Sequence, residues 1–135
     1  MPRELTYRRR VQFADTDAAG IVHFAMFYRY MEEAEHALWR DAGLSIEPRD
    51  AAIGWPRVAA SFQFHRPLRF EDECEVRIVV EAVKSRTIEY ACTITRNGEK
   101  IATGAMTIAC VRKAPGRPMQ SIEIPADIVR RFVGS

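Results

Sequence analysis

The sequence predicts an α+β fold in which an antiparallel sheet wraps around, or packs on, one long helix. Three observations predict it: a first strand is followed by a single amphipathic helix, four strand-like stretches then follow in succession, and no internal repeat is present. The length of 135 residues suits one hydrophobic core and is too short for a second. We therefore expect a single domain over residues 1–135.

Composition and charge exclude several classes of protein. The chain is 47% hydrophobic and 28% charged, too apolar for a disordered protein and too charged for a membrane protein. Its net charge of +2 comes with no clustered basic patch, so we expect no nucleic-acid partner. The longest stretches without Asp, Glu, Lys or Arg cover 18–28 and 101–111, whereas a spanning helix needs about 20 apolar residues. We expect no membrane span.

The amino terminus and the cysteines favour a cytoplasmic location. The basic first residues lead into polar and acidic ones rather than into the apolar core of a signal peptide. Cys74, Cys92 and Cys110 are far apart, form no CxxC pair and have no His at zinc-ligand spacing. We expect three buried, reduced thiols and no metal site.

The first third of the chain is predicted to form a strand, a loop and the helix. Alternating apolar residues predict a strand over 5–13. Small and turn-forming residues predict a loop over 14–20, ending at Gly20, whose backbone takes angles that other residues resist. Apolar residues at helical spacing then run from 27 to 42, and Gly43 is expected to end the helix.

The rest of the chain is predicted to be mainly strands. Two prolines and a glycine make 45–56 an irregular connection. The predicted strands that follow are 58–65, 75–82, 88–95 and 101–111. The Asn97-Gly98 pair predicts a hairpin between the last two. A turn-rich link at 115–118 then leads to a short helix over 125–132, with Pro125 in its first turn.

The last hairpin poses a problem of register. A two-residue turn at Asn97-Gly98 would pair Ile94 with Ile101 and Glu89 with Met106, which mixes apolar and polar residues on one face. Either a bulge shifts the register or both faces of the sheet are covered. The second option implies a partner subunit, because one helix covers only one face, so we expect at least a dimer.

The segment with the most chemical information is 13–34, FADTDAAGIVHFAMFYRYMEEA. An acidic residue precedes a small-residue loop, a glycine, an apolar pair and an aromatic-rich helix. This pattern resembles the signature of the hotdog-fold acyl-CoA thioesterases of the 4-hydroxybenzoyl-CoA thioesterase type. The order of elements, the segment HRPLRFEDE at 65–73 and the final hairpin extend the resemblance over nearly the whole chain. It implies a hotdog fold and hydrolysis of a coenzyme A thioester without a cofactor.

The resemblance puts the catalytic carboxylate at Asp17. A thioester carbonyl is already electrophilic, so its hydrolysis needs a carboxylate to attack or to activate water, and donors for the oxyanion. The resemblance implies main-chain amides near Gly20 and Phe24 as donors, at a helix start where free N–H groups and the dipole favour negative charge. The alternative is a helix cap or an Asx-turn. Asp15 is expected to shape the loop or end the strand.

Other candidates are implied less directly. Many members of the resembling family carry a histidine one position after His23, where this chain has Phe24. The resemblance therefore does not assign a general-acid role to His23. His23 is a substrate-binding candidate or a packed, hydrogen-bonded side chain. In the resembling family the helix borders the acyl pocket at a subunit interface, so Glu32 or Glu33 lines the site or belongs to a solvated face. His36 and His65 are expected to be structural or solvated.

Basic residues are the candidates for the phosphates of coenzyme A. In the resembling family such residues lie at a strand-to-strand turn and near the last strand, and the matching positions here hold Lys84, Ser85, Arg86 and Arg112. The alternative is a solvated turn. The resemblance also implies a homodimer or tetramer in which two sheets join edge to edge and the helix of one subunit closes the pocket of the other.

Two other classes of function stay open at this point. A non-catalytic acyl-CoA-binding module on the same fold would need an added effector region, and no helix-turn-helix pattern is visible. An acyl thioester dehydratase or hydratase pairs a histidine with an acidic residue in other motifs, which this sequence lacks. The sequence leaves the identity of the acyl group undetermined.

Overall fold

Alternating apolar and polar residues build an antiparallel sheet around one helix, as predicted. The computed structural model describes residues 3–133. In chain order the strands are β1 (Glu4–Arg10), β2 (Ile53–Gly54), β3 (Arg57–Phe64), β4 (Glu73–Val83), β5 (Thr87–Arg96), β6 (Glu99–Ala109), β7 (Val111–Arg112) and β8 (Gln120–Ser121). Within the described residues, the five long strands form one antiparallel sheet in the order β1-β4-β5-β6-β3, and β2, β7 and β8 form a small second sheet.

The long helix supplies one side of the core. Helix α1 (Phe24–Asp41) begins three residues earlier than its apolar stripe, and Gly43 follows its carboxyl end at φ +79°, as expected of a glycine that ends a helix. Its stripe faces the sheet. The buried residues of the helix are Phe27, Tyr30, Met31, Ala34, Glu35, Leu38 and Trp39. Helix α2 (Ala126–Val133) matches the predicted terminal helix, and its Phe132 packs on Trp39 with ring centroids 4.9 Å apart.

The first strand is shorter than predicted. It ends at Arg10, and Phe13–Asp15 form a single 3-10 turn in place of the expected strand end. The turn is closed by the Asp15 carboxylate, which accepts a hydrogen bond from the Gln12 N–H at 2.9 Å. Phe13 is thereby turned outward and is 76% exposed.

A bulge resolves the register of the last hairpin. The strands pair Tyr90 with Met106 and Ile94 with Ala102, and the register shifts between Ile94 and Thr95. Ile101 is the extra residue, and its carbonyl accepts hydrogen bonds from the N–H groups that follow β3, His65 at 2.8 Å and Arg66 at 3.1 Å. Of the two alternatives that the sequence left open, the structure has the bulge, which shifts the pairing by one residue from that of a simple two-residue turn.

The bulge also removes one argument for a partner subunit. Met106 lies opposite Tyr90 and Ile108 opposite Ile88, so all four buried side chains share the face that the helix covers. The expectation that the hairpin carries apolar residues on both faces was wrong. The outer face of this pair holds small and threonine residues, among them Ala91, Thr93, Ala105 and Thr107, which expose less apolar surface.

The cysteines are structural. Cys74, Cys92 and Cys110 are buried and form no disulfide in the described part of the chain. Burial raises the pKa of Cys74 to about 11 and that of Cys92 to about 12, so both thiols stay protonated at neutral pH.

Among residues 3–133, no helix is long and apolar enough to cross a bilayer.

Candidate active site

The loop before α1 is closed by its own backbone. The Asp17 N–H donates to the Ile21 carbonyl at 2.9 Å and the His23 N–H donates to the Asp15 carbonyl at 2.9 Å. Gly20 turns the chain between these bonds at φ +80°, a conformation that a side chain would strain. The Gly20 N–H is itself used, because it donates to the Asp17 carbonyl at 2.9 Å. Gly20 therefore shapes the loop, and its amide is not free to bind an oxyanion.

The Asp17 carboxylate is exposed and held by one oxygen. Its Oδ1 accepts a hydrogen bond from the Ala19 N–H at 2.9 Å, which is the Asx-turn considered as an alternative from the sequence. Its Oδ2 has no hydrogen-bond partner among residues 3–133. The turn and a chemical role are thus compatible: one oxygen orients the side chain and the other is open to a ligand.

The amino terminus of α1 leaves one amide available. His23 precedes the helix, and its Nδ1 accepts a hydrogen bond from the Ala25 N–H at 3.1 Å. The imidazole stacks on the Phe24 ring with centroids 4.6 Å apart. In the described part of the chain, the Phe24 N–H meets no acceptor. It lies at the positive end of the helix dipole, where an anion is stabilised.

Asp17 and Phe24 line one cavity of about 460 Å³. Its walls are mostly apolar and aromatic, with three polar side chains at the rim. The lining residues are Asp17, Ile21, Val22, Phe24, Phe27, Phe64, His65, Arg66 and Pro67. His23 is absent from this set because its ring is turned toward the first turn of the helix. Within residues 3–133, no group of three or more His, Cys, Asp or Glu side chains is arranged to hold a metal ion.

Two polar residues of the cavity were not predicted. His65, expected to be structural or solvated, lies at the rim with its Nε2 3.1 Å from the Thr103 Oγ1. Arg66 lines the same cavity and forms an ion pair with Glu99 at 3.0 Å. Both residues belong to the HRPLRFEDE segment that carries part of the family resemblance. Its sequence does not indicate that β3 ends beside the Asp17 loop.

Glu32 lies apart from this cavity. It lines a second cavity of about 290 Å³ between α1 and β3, where it forms an ion pair with Arg57 at 3.2 Å. Arg57 also contacts both carboxylate oxygens of the fully buried Glu35. Burial raises the pKa of Glu35 even though Arg57 opposes the shift. A single chain does not bring Glu32 to Asp17.

The predicted phosphate-binding residues lie at the opposite end of the sheet. The Asp17 loop adjoins the start of β4, where the Val11 N–H bonds to the Asp72 carbonyl, whereas Lys84 follows the last residue of β4. An 11-residue strand at ~3.3 Å per residue separates the two ends by roughly 30 Å. Lys84 pairs with Glu89 at 2.7 Å, and the Ser85 carbonyl accepts a bond from Ile124.

Arg86 and Arg112, the other two basic residues predicted to bind phosphate, are also exposed at that end of the sheet. The Arg86 Nη1 donates to the Ser121 carbonyl at 3.5 Å, and Arg112 lies on β7 opposite Ile53. Both lie beside β8: Arg86 bonds to Ser121 on β8, and β7, which carries Arg112, pairs with β8. Lys84 is two residues before Arg86 in the chain. The structure therefore brings the predicted basic residues near one another, but not near Asp17 of the same chain.

Comparison with known proteins adds relatives of stated activity. A family model described as the thioesterase-like superfamily matches residues 11–132. A 1,4-dihydroxy-2-naphthoyl-CoA hydrolase from Crocosphaera subtropica is 30% identical over 107 residues, which cover 76% of this chain and 78% of that protein. The 4-hydroxybenzoyl-CoA thioesterase of Pseudomonas sp. strain CBS-3 is 23% identical over 138 residues, covering 96% and 97%.

Solved structures match over almost the full length. A gentisyl-coenzyme A thioesterase superposes with a TM-score of 0.84 and 30% identity, covering 96% of this chain and 100% of the other. A 1,4-dihydroxy-2-naphthoyl-CoA thioesterase from Synechocystis superposes with a TM-score of 0.88 at 22% identity, covering 96% of each chain. The predicted sheet wrapped around one long helix is confirmed by these matches.

Proposed function

The chain belongs to the thioesterase-like superfamily and is a thioester hydrolase of the hotdog fold, and from this premise we propose that Asp17 is the carboxylate that hydrolyses an acyl-coenzyme A substrate. One observation carries the proposal: the open oxygen of Asp17 and the unpartnered Phe24 N–H belong to residues that line one cavity. Membership of this family gives no support to the two alternative functions, a non-catalytic acyl-CoA-binding module and an acyl thioester dehydratase or hydratase.

The chemistry needs two groups, a carboxylate and an oxyanion donor, and we assign them to Asp17 and to the Phe24 N–H. In one route the Asp17 carboxylate takes a proton from a water whose oxygen bonds to the thioester carbon; the C–S bond breaks and that proton passes to the leaving thiolate. In the other route the carboxylate itself attacks, the C–S bond breaks to give a mixed anhydride and the thiolate, and a water then hydrolyses the anhydride to the free acid and Asp17, its released proton balancing the thiolate. The carbonyl oxygen becomes an oxyanion on the way. The Phe24 N–H donates to that oxyanion, and removing such a donor typically costs ~3–4 kcal/mol of transition-state stabilisation.

We propose an aromatic acyl group. The 30%-identical relatives act, by their names, on 1,4-dihydroxy-2-naphthoyl-CoA and on gentisyl-coenzyme A, both aromatic thioesters. The cavity beside Asp17 offers the rings of Phe24, Phe27 and Phe64 as walls. A stacked or edge-to-face aromatic pair adds ~0.5–1.5 kcal/mol beyond the burial of its area, which favours an aryl over an aliphatic substrate of similar size.

Replacement of Asp17 tests the proposal. Asp17→Asn keeps the volume of the side chain but removes the base or nucleophile, so we expect release of free thiol from the best aryl-CoA to fall by about 10²–10⁴-fold. The matched control is Asp50→Asn, an exposed loop residue at φ 59°, a conformation that Asp and Asn both tolerate. An Asp17→Asn enzyme within about threefold of the parent, or under ~0.7 kcal/mol, would refute the assignment.

A panel of thioesters tests the acyl group separately. We expect benzoyl-type and naphthoyl-type coenzyme A thioesters to give a higher kcat/KM than hexanoyl-CoA and palmitoyl-CoA. Equal or higher values for the aliphatic substrates would overturn the aromatic preference and leave the role of Asp17 untouched. Product analysis by free-thiol titration separates hydrolysis from hydration, since only cleavage releases the thiol.

A further inference from the structure

The Asp15 carboxylate is buried two residues before Asp17. It is 5% exposed, and its Oδ2 accepts three hydrogen bonds: from the Tyr30 hydroxyl at 2.7 Å, from the Arg9 Nη1 at 3.1 Å and from the Gln12 N–H at 2.9 Å. Tyr30 belongs to α1, Arg9 to β1, and Gln12 to the turn between strand and loop. One oxygen atom thus joins the three parts of the chain that surround the Asp17 loop.

The donors to Asp15 are themselves held in place. Arg9 forms a bidentate pair with Glu33, at 2.8 Å from Nε and 3.4 Å from Nη2, and its guanidinium lies 4.7 Å from the centre of the Tyr30 ring. Tyr30 is fully buried. Burial and the neighbouring Asp15 carboxylate raise the pKa of Tyr30, so its hydroxyl remains a donor throughout the accessible pH range.

The backbone of Asp15 extends this anchor into the site. Its carbonyl accepts the His23 N–H at 2.9 Å, and His23 immediately precedes the Phe24 amide. The Asp15 side chain therefore holds the beginning of the loop, while its carbonyl holds the end of the loop. We call these two attachments of Asp15 the clamp. Along the chain, Asp17 lies inside the loop that the clamp closes, and the Phe24 N–H lies immediately after that loop.

We propose that Asp15 is a positioning residue that, through Tyr30 and Arg9, sets the Asp17 carboxylate relative to the Phe24 amide. The proposal rests on the proposed role of Asp17. A misplacement of about 1 Å between reacting groups costs as much as ~10²-fold in rate, so loss of the clamp slows the chemical step. The cavity walls that bind the acyl group are built by other residues, so substrate affinity is preserved.

Removal of a single hydroxyl tests the clamp. Tyr30→Phe deletes the 2.7 Å hydrogen bond to Asp15 and keeps the ring under Arg9. We expect kcat to fall by about 10–100-fold with KM within twofold of the parent, at a temperature where both proteins are fully folded. The matched control is Tyr90→Phe, which also deletes a buried hydroxyl; that hydroxyl accepts a hydrogen bond from the Trp39 Nε1 at 2.9 Å and forms no hydrogen bond with Asp15, Arg9 or Glu33. The control should keep kcat within about twofold.

A double-mutant cycle separates positioning from mere stabilisation. If Tyr30 acts through Asp17, adding Tyr30→Phe to Asp17→Asn should lower the residual rate by less than about twofold, because the group that it positions is already gone. The same fold-loss in both backgrounds would overturn the proposal. If Tyr30→Phe does not fold, Asp15→Asn replaces it in the cycle, since Asn keeps the side-chain volume and one acceptor oxygen.

The outcomes distinguish this proposal from the one on which it rests. An active Asp17→Asn enzyme defeats the proposed function. An inactive Asp17→Asn enzyme together with a Tyr30→Phe enzyme whose kcat equals that of Tyr90→Phe defeats the clamp alone. A loss in Tyr30→Phe that appears in KM rather than in kcat also contradicts it, because it would mean that Tyr30 shapes the binding cavity.

Discussion

The Nδ1 of His23 accepts a hydrogen bond from the Ala25 N–H at 3.1 Å, so His23 caps the helix whose start forms the candidate oxyanion site. In the neutral ring this leaves the proton on Nε2. This hydrogen bond agrees with the hydrogen-bonded alternative that the sequence left open, but the His23 ring is exposed rather than packed in the core. The cap leaves the adjacent Phe24 amide as the free donor.

The cap role leads to a prediction for His23. His23→Asn retains a side chain suited to capping, whereas His23→Ala loses it and should lower the free energy of unfolding by about 1 kcal/mol in urea titrations. We expect the Asn variant to keep thiol-release activity within about threefold of the parent, under ~0.7 kcal/mol. A much larger loss of activity in a stably folded Asn variant would assign His23 to substrate binding or proton transfer.

The basic residues at the far end of the sheet give a second prediction. Lys84, Arg86 and Arg112 lie at the end of the sheet opposite the Asp17 loop, so if they bind the phosphates of coenzyme A we expect that substrate to occupy the site of another chain. Replacing the three by Ala should raise KM for acyl-CoA, more at low than at high ionic strength, because exposed charges are screened over ~8 Å at physiological salt.

A truncated thioester that lacks the nucleotide is the control for this prediction. Its KM should not change when the three basic residues are replaced. Equal losses on the truncated and the full substrate would show that the residues do not recognise the nucleotide end of coenzyme A. An unchanged KM on both would leave them as solvated surface charges.

The free edge of β3 predicts association of two chains. Within residues 3–133, β3 pairs with β6 on one side only, and Val58 on it is 59% exposed. An unpaired edge with apolar side chains favours a further strand. We expect light scattering to report at least a dimer of the 15.4 kDa chain, and Val58→Lys to weaken it more than the control Val133→Lys on α2. A stable and active monomer would contradict this.

The buried pair of Glu35 and Arg57 predicts a pH dependence of stability. Burial raises the pKa of Glu35 above its ordinary value of 4.5. Folding then favours the protonated form, so this contribution to stability is fully present below the unfolded-state pKa and is lost as pH rises through the folded-state pKa. The unfolding free energy of the parent relative to Glu35→Gln should therefore fall from about pH 4 toward pH 7 in urea titrations.

The neighbouring Glu32 provides the control for that measurement. It contacts the same Arg57 at 3.2 Å but its side chain is 41% exposed, so Glu32→Gln controls for the loss of a carboxylate beside Arg57 without removing a buried one. An unfolding free energy of the parent that rises with pH relative to Glu35→Gln would mean that Arg57 outweighs burial in setting the pKa of Glu35.

Local order is the part of this protein that the sequence alone determined. The apolar stripe of α1, the glycine after it and the alternation along β4 and β5 were predicted correctly because each depends on residues a few positions apart. Asp17 and the Phe24 amide were predicted to share a site from the resemblance to a known family, and the structure has both residues lining one cavity. The Asx-turn at Asp17 follows from the same local chemistry.

Only the tertiary structure decided contacts between distant segments. The bulge at Ile101 sets the register of the last hairpin and holds His65 at the cavity, and neither follows from a turn sequence that is compatible with both registers. The three hydrogen bonds to Asp15, and the position of Lys84 at the end of β4 opposite the Asp17 loop, could not be predicted from the sequence either. Periodicity along a chain specifies which face of an element is buried, but the partner of that face is chosen by packing among all the elements at once.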